Sequence, residues 1–114
     1  GLINAQIVVA VRTDFANAYP DLVRRYLKVQ QEAVDYVKDH TEEALATTAK
    51  ENKMDIEAVK AIFPKYDFSL DLDDNAIEEM KKTTEFLKET GLMKADVDTE
   101  KLIEDMVDTS FLPQ

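Results

Sequence analysis

Ile7-Val8-Val9-Ala10-Val11-Arg12 runs without a break into Thr13-Asp14-Phe15-Ala16-Asn17-Ala18-Tyr19-Pro20. The first six residues read as a strand that is apolar on both faces. That pattern belongs to strands buried in a parallel sheet. Nothing after it reads as a second strong strand, and one strand cannot satisfy its own backbone donors and acceptors. The chain is therefore expected to be a part of something larger, with a buried strand over about residues 6–12.

The rest reads as helix. Pro20 suits the first position of a helix, where its missing N–H costs nothing. Leu22, Tyr26, Val29, Ala33 and Val37 then recur at helical spacing, and Val23, Leu27 and Val34 widen the apolar face. This predicts a long helix over 20–39. His40-Thr41 breaks it, with Thr41 expected to cap a shorter helix that reaches about Asn52. A cap at Thr13 or Asp14 is expected for one helical turn before Pro20. Asp55 caps a third helix that Pro64 ends. Tyr66 to Leu72 alternates between apolar and polar and is read as a connector. Asp73 opens a helix that stops at Gly91, where a left-handed residue is wanted, with Leu87 and Leu92 placed for the accompanying hydrophobic contact. The last helix starts near Asp98, and an extended tail follows from 108 to 114. The fold class is mostly α, about five helices across 14–107, with one N-terminal buried strand.

Composition narrows the function classes. The chain has 114 residues, 45% of them hydrophobic, and no cysteine. Disulfides, thiolate metal sites and Cys nucleophiles are thereby excluded. A formal net charge of −10 argues against nucleic-acid binding. The acidity is uneven: residues 1–66 carry 10 acidic and 9 basic side chains, and residues 67–114 carry 14 and 5. A solvated helical surface accounts for this, and an acidic docking face is the sharper alternative. No apolar run approaches the roughly 18–20 residues of a membrane helix. No targeting signal is visible in the chain as it stands, which begins at Gly1.

Site chemistry is sparse. Two glycines cannot build a phosphate-cradling loop. Asp71-Leu72-Asp73-Asp74-Asn75 begins like a calcium loop. It fails at Ala76, where glycine is needed, and at Lys82, where a bidentate Glu is needed. His40 is a lone histidine with no second imidazole or thiolate to complete a metal set. The serines and threonines have no His–Asp partners. No catalytic residue, metal site or cofactor is expected. The aromatics Tyr19, Tyr26, Tyr36, Phe63 and Phe86 are candidates for lining a cleft, with core packing the default; Phe15 is also expected in the core.

Three segments taken in order carry a resemblance. The first is the strand with Arg12-Thr13-Asp14-Phe15 and the step Tyr19-Pro20-Asp21-Leu22-Val23. The second is Tyr36-Val37-Lys38-Asp39-His40-Thr41-Glu42-Glu43-Ala44 with Asp55-Ile56-Glu57-Ala58-Val59. The third is Thr83-Thr84-Glu85-Phe86-Leu87-Lys88-Glu89-Thr90-Gly91-Leu92-Met93 with Asp108-Thr109-Ser110-Phe111-Leu112. From about Asn4 to Leu112 the order and spacing resemble the C-terminal third of ABC-transporter substrate-binding proteins for aliphatic sulfonates, taurine and nitrate, relatives of the thiamine-precursor proteins. The resemblance implies a fragment of an α/β two-lobe fold of the periplasmic-binding-protein type II class, in which this chain is mainly scaffold of the first lobe. It implies a non-enzymatic parent that binds a small anionic or organic solute outside the cytoplasm, in the periplasm or lipid-anchored on the cell surface, and delivers it to a membrane permease. Asn4 and Gln6, just before the strand, and Arg12, at its end, are the residues it places near hinge or cleft. Two rivals stand beside it. One is an acidic helical protein–protein interaction module. The other is an enzyme, since thiamine-pyrimidine synthases share the fold. An unpaired strand also implies self-association by strand exchange or edge pairing.

Overall fold

The computed structural model describes residues 7–114. Among them the elements are α1 (Thr13–Ala18), α2 (Pro20–Asp39), α3 (Thr41–Asn52), α4 (Ile56–Ile62), a 3₁₀ turn (Phe63–Lys65), α5 (Asp74–Glu89) and α6 (Thr99–Met106). Six α-helices thus stand where about five were expected. They form two compact units. Of the described residues, one holds 7–20 together with Asp71–Leu112, and the other holds Asp21–Leu70 with Pro113–Gln114.

The expected buried strand is not formed. Of its residues, Gln6 lies outside the described range, and Ile7–Arg12 carry no regular secondary structure. Ile7 is 85% exposed, and Val8, Val9 and Val11 are about half exposed. The reason is the one that made the segment anomalous in the sequence. A ladder needs a neighbour, and no other strand exists among the described residues.

The unit built on α2, α3 and α4 has a small core. Leu45, Ala49 and Val59 are buried together, with Ile56 and Phe63 packed on them. Val59 is its most enclosed side chain, 1% exposed. Pro64 cannot continue an α-helix, so α4 ends at Ile62 and tightens into the 3₁₀ turn. Beyond it the Phe68 ring lies tilted against Phe63, with ring centroids 5.1 Å apart at 35°, and the connector 66–73 stays irregular as expected. On α2, Val23, Leu27 and Val34 are buried, whereas Leu22, Tyr26 and Val29 are exposed. The predicted broad apolar face is there, but only half of it is covered.

In the other unit α5 and α6 pack together, and Thr84 and Ile103 are buried. Thr84 stays satisfied because its hydroxyl donates to Met80 O at 3.0 Å. The caps at Asp55 and Asp73 stand as read from the sequence, and Asp98, near which the last helix was expected to start, caps α6. Asp73 accepts from Ala76 N at 2.8 Å, Asp98 from Lys101 N at 3.1 Å, and, in the unit of Asp21–Leu70, Asp55 from Glu57 N at 2.9 Å. Gly91 adopts φ 75°, the left-handed region it was expected to supply. Its N–H donates to Lys88 O at 3.1 Å, but Met93 rather than Leu92 closes on Leu87 O, at 2.9 Å. Leu92, expected to pack on Leu87, is 76% exposed. Within the tail, Leu112 N–H donates to Thr109 O at 3.2 Å and closes a turn.

Two other caps differ. Neither Thr13 nor Asp14 precedes α1; Arg12 does, with no side-chain cap. Thr41 is the first residue of α3 rather than its cap. Its hydroxyl instead donates to Val37 O at 3.0 Å and Lys38 O at 3.1 Å, serving the open carbonyls at the end of α2.

Candidate functional site

Arg12 is the one candidate ligand residue within the described range; Asn4 and Gln6 lie outside it. Arg12 precedes α1, whose first turn places Asp14 beside it. The guanidinium makes a two-pronged contact, Nε to Asp14 Oδ1 at 3.0 Å and Nη2 to Asp14 Oδ2 at 2.7 Å. The Phe15 N–H also donates to Asp14 Oδ1, at 2.9 Å. Arg12 and then the Phe15 amide hold the Asp14 carboxyl below its ordinary range. One turn on, Tyr19 lies against Phe15 with ring centroids 5.2 Å apart at 51°. With Ala18 these residues line a shallow depression of about 300 Å³.

The chemistry of this patch is that of a guarded cation. Arg guanidinium binds carboxylate, sulfonate or phosphate through parallel N–H donors. Here Asp14 already fills that fork. An anion reaching Arg12 must displace a carboxylate that stays ionised at neutral pH. The exposed aromatic pair would flank an apolar tail, not the charge.

A larger, open groove of about 620 Å³ runs along α5 and the start of α6. No sequence motif announced it. Its cations are also engaged: Lys81 bridges Glu78 at 3.2 Å and Glu100 at 2.9 Å, Lys82 meets Glu79 at 2.7 Å, and Lys88 meets Glu85 at 3.1 Å. Glu85 accepts from the Thr99 hydroxyl as well. Thr99 and then Lys88 hold the Glu85 carboxyl below its ordinary value. The groove is a seam of mutual ion pairs with no free cation for an anionic ligand. Only i,i+3 proximity of Glu and Lys on α5 was legible beforehand; the cross-helix Lys81–Glu100 link needs the tertiary contact.

The aromatics depart from the core reading. Tyr19, Tyr26, Tyr36 and Phe86 are 54, 56, 48 and 60% exposed, and Phe15 is 44% exposed. Phe63 alone of the set is half-buried. Tyr36 has local partners: its ring stacks on His40 at 4.1 Å and its hydroxyl donates to Glu43 Oε2 at 3.0 Å. That bond, with some desolvation, raises the phenol's pKa above its ordinary value. His40 thus has a structural place at the α2–α3 junction. Among the described residues no cluster of three or more His, Cys, Asp or Glu is arranged to hold a metal. Asp71 to Asn75, the calcium-like run, serves the start of α5 through Asp73.

Over most of its length this chain is similar to a bacterial binding protein. The relative is the "Putative aliphatic sulfonates-binding protein" of Bacillus subtilis (strain 168), 27% identical over 103 residues. The match takes in 90% of this chain and 30% of the relative, so the chain spans under a third of that protein's length. The resemblance read from the ordered segments and this similarity agree on the same kind of protein. No family profile matches the chain, and no solved structure does. Among the described residues no helix is long and apolar enough to cross a membrane.

Proposed function

We propose that this chain is the C-terminal scaffold portion of a solute-binding protein serving an ABC importer. The cargo class is a small sulfonate, taurine, nitrate or a related ligand. The observation that carries the reading is the similarity across 90% of the chain to a protein named as a sulfonates-binding protein. A supporting one is physical. Residues 7–11 are apolar, exposed and unpaired among the described residues, as expected of a segment cut from its sheet. In the whole protein, solute binding takes place outside the cytoplasm and delivery is to a permease, without covalent chemistry. Most of the ligand contacts come from the other two-thirds, with Asn4, Gln6 and Arg12 near hinge or cleft. Arg12 contributes to anion binding by exchanging Asp14 for the ligand.

The test is a thermal-shift screen of the complete protein with alkanesulfonates, taurine and nitrate. A ligand present at about 100 times its Kd stabilises by about 2.7 kcal/mol, a rise of several degrees in a domain-sized protein. Arg12→Ala then weakens binding of the responding ligand, while Asp14→Asn, which unmasks the guanidinium, tightens it. No response to any of these anions from a complete, folded protein rejects the cargo class. The rival reading, an acidic helical interaction module, rests on the charge excess of residues 67–114. It predicts no small-anion response and a salt-sensitive basic protein partner instead.

A further inference from the structure

The exposed half of α2 is patterned. Leu22, Tyr26, Val29, Ala33 and Tyr36 follow one another at alternating steps of four and three, and His40 continues the series. That is the seam of a coiled coil. The buried residues Val23, Leu27 and Val34 form a separate stripe beside it, so the seam is not the helix's own core face. Leu22, Tyr26, Val29 and Tyr36 are 48, 56, 63 and 48% exposed. Ala33 is exposed as well.

We propose that this seam pairs with the same seam of a second copy of the chain, antiparallel, about a two-fold axis beside Gln31. In that register Tyr26 layers on Tyr36 of the second copy and Val29 on Ala33 of the second copy. Each layer matches large with large or medium with small. The flanking positions decide the orientation. Arg25 falls opposite Asp39 of the second copy, twice by symmetry, and both are exposed with no ion pair among the described residues. A parallel pairing would set Arg25 against Gln30 and lose that complementarity. Glu32 meets its own copy at the axis, a repulsion that keeps the dimer weak and salt-sensitive.

The size of the surface agrees. A helix of 20 residues is about 30 Å long, and half its circumference is about 17 Å, so each copy covers roughly 500 Å². The total of about 1,000 Å² sits at the lower bound for a specific interface, the range of weak and transient contacts. The near-neutral balance of residues 1–66 permits close approach where the acidic residues 67–114 would resist it.

Sedimentation or light scattering on the 114-residue chain across the micromolar range tests this, with circular dichroism confirming that each variant is folded. A concentration-dependent monomer–dimer equilibrium is expected. Val29→Lys, at an exposed position, should weaken it at least tenfold. Arg25→Asp should weaken it by roughly tenfold through its two pairs, Arg25→Asp with Asp39→Arg should restore it, and Glu32→Gln should tighten it. A monomer at all concentrations overturns the proposal; so does a dimer that Val29→Lys leaves intact, which would place association at residues 7–12 instead. Failure of the double charge exchange to restore pairing overturns the antiparallel register. These outcomes do not depend on the solute-binding reading.

Discussion

Thr41 shows how one hydroxyl can be claimed by either of two helix ends. In sequence it follows His40 and precedes Glu42-Glu43, which is how an N-cap looks. In the structure the break at His40 is so short that Thr41 is already inside α3. Its proton reaches back to Val37 O and Lys38 O. Composition alone cannot separate these roles, because they differ by one residue of register. They respond differently to substitution. Thr41→Val keeps the shape and removes the donor, and should cost about 1 kcal/mol in chemical denaturation. Thr41→Ser should cost much less. A loss for Thr41→Ser with none for Thr41→Val would assign Thr41's contribution to its methyl group.

Glu85 sets a pH dependence at the same scale. Its carboxyl is held below the ordinary value of 4.5, first by Thr99 and then by Lys88. A depressed carboxylate contributes stability above its unfolded pKa and loses it as pH falls through the folded one. The α5–α6 contact should therefore weaken in acid, below about pH 4.5. Thermal midpoints of wild type and Glu85→Gln should converge as pH drops. A constant difference from neutral pH down to pH 3 would show that the carboxylate's charge plays no part. Tyr36 has the opposite sign. Its phenol is raised above the ordinary value of 10.0 by Glu43, so what that bond contributes persists through neutral pH and is lost only in strong alkali.

At the scale of elements, much was readable and the reasons are local. Helix positions followed from spacing, from the aspartates at 55, 73 and 98, and from Pro20, Pro64 and Gly91, because capping and proline sterics act within one turn. Burial was less readable. Spacing shows which residues share a helix face but not whether anything covers that face. Leu22, Tyr26 and Val29 look as buried as Val23, Leu27 and Val34 until the neighbours are known. The Arg12–Asp14 fork is not legible in the sequence because Asp14 reads equally as a cap, and the groove along α5 is not because it depends on α6. Substitution should separate covered from uncovered positions. Val59→Ala removes two methyl groups at a site 1% exposed and should cost about 2–3 kcal/mol. In a core this small that is a large share of the whole. Leu92→Ala, 76% exposed and outside the C-cap contact, should stay within about 0.5 kcal/mol. A large loss at Leu92 would reinstate the hydrophobic contact with Leu87.

At the scale of the molecule, the segment Ile7–Val11 remains the sharpest indication that the chain has partners beyond itself. Strand-forming residues that make no ladder have no reason to be protected from solvent. Among the described residues no backbone bond is donated by these amides. Hydrogen exchange reads this directly, since protection reports the free energy of opening. In the dilute 114-residue chain the amides of Val8, Val9, Ala10 and Val11 should exchange close to the rate of an unstructured peptide. In the complete protein that the solute-binding reading calls for, the same amides belong to a sheet and should slow by at least about a hundredfold, equivalent to roughly 2.7 kcal/mol. Protection already present in the dilute chain would mean that the segment finds a partner within it, against the exposure of Ile7. Rapid exchange that persists in the complete protein would remove the missing sheet from the argument. The unbroken apolar run would then need another explanation, and the similarity to a sulfonates-binding protein would stand without structural support from this end of the chain.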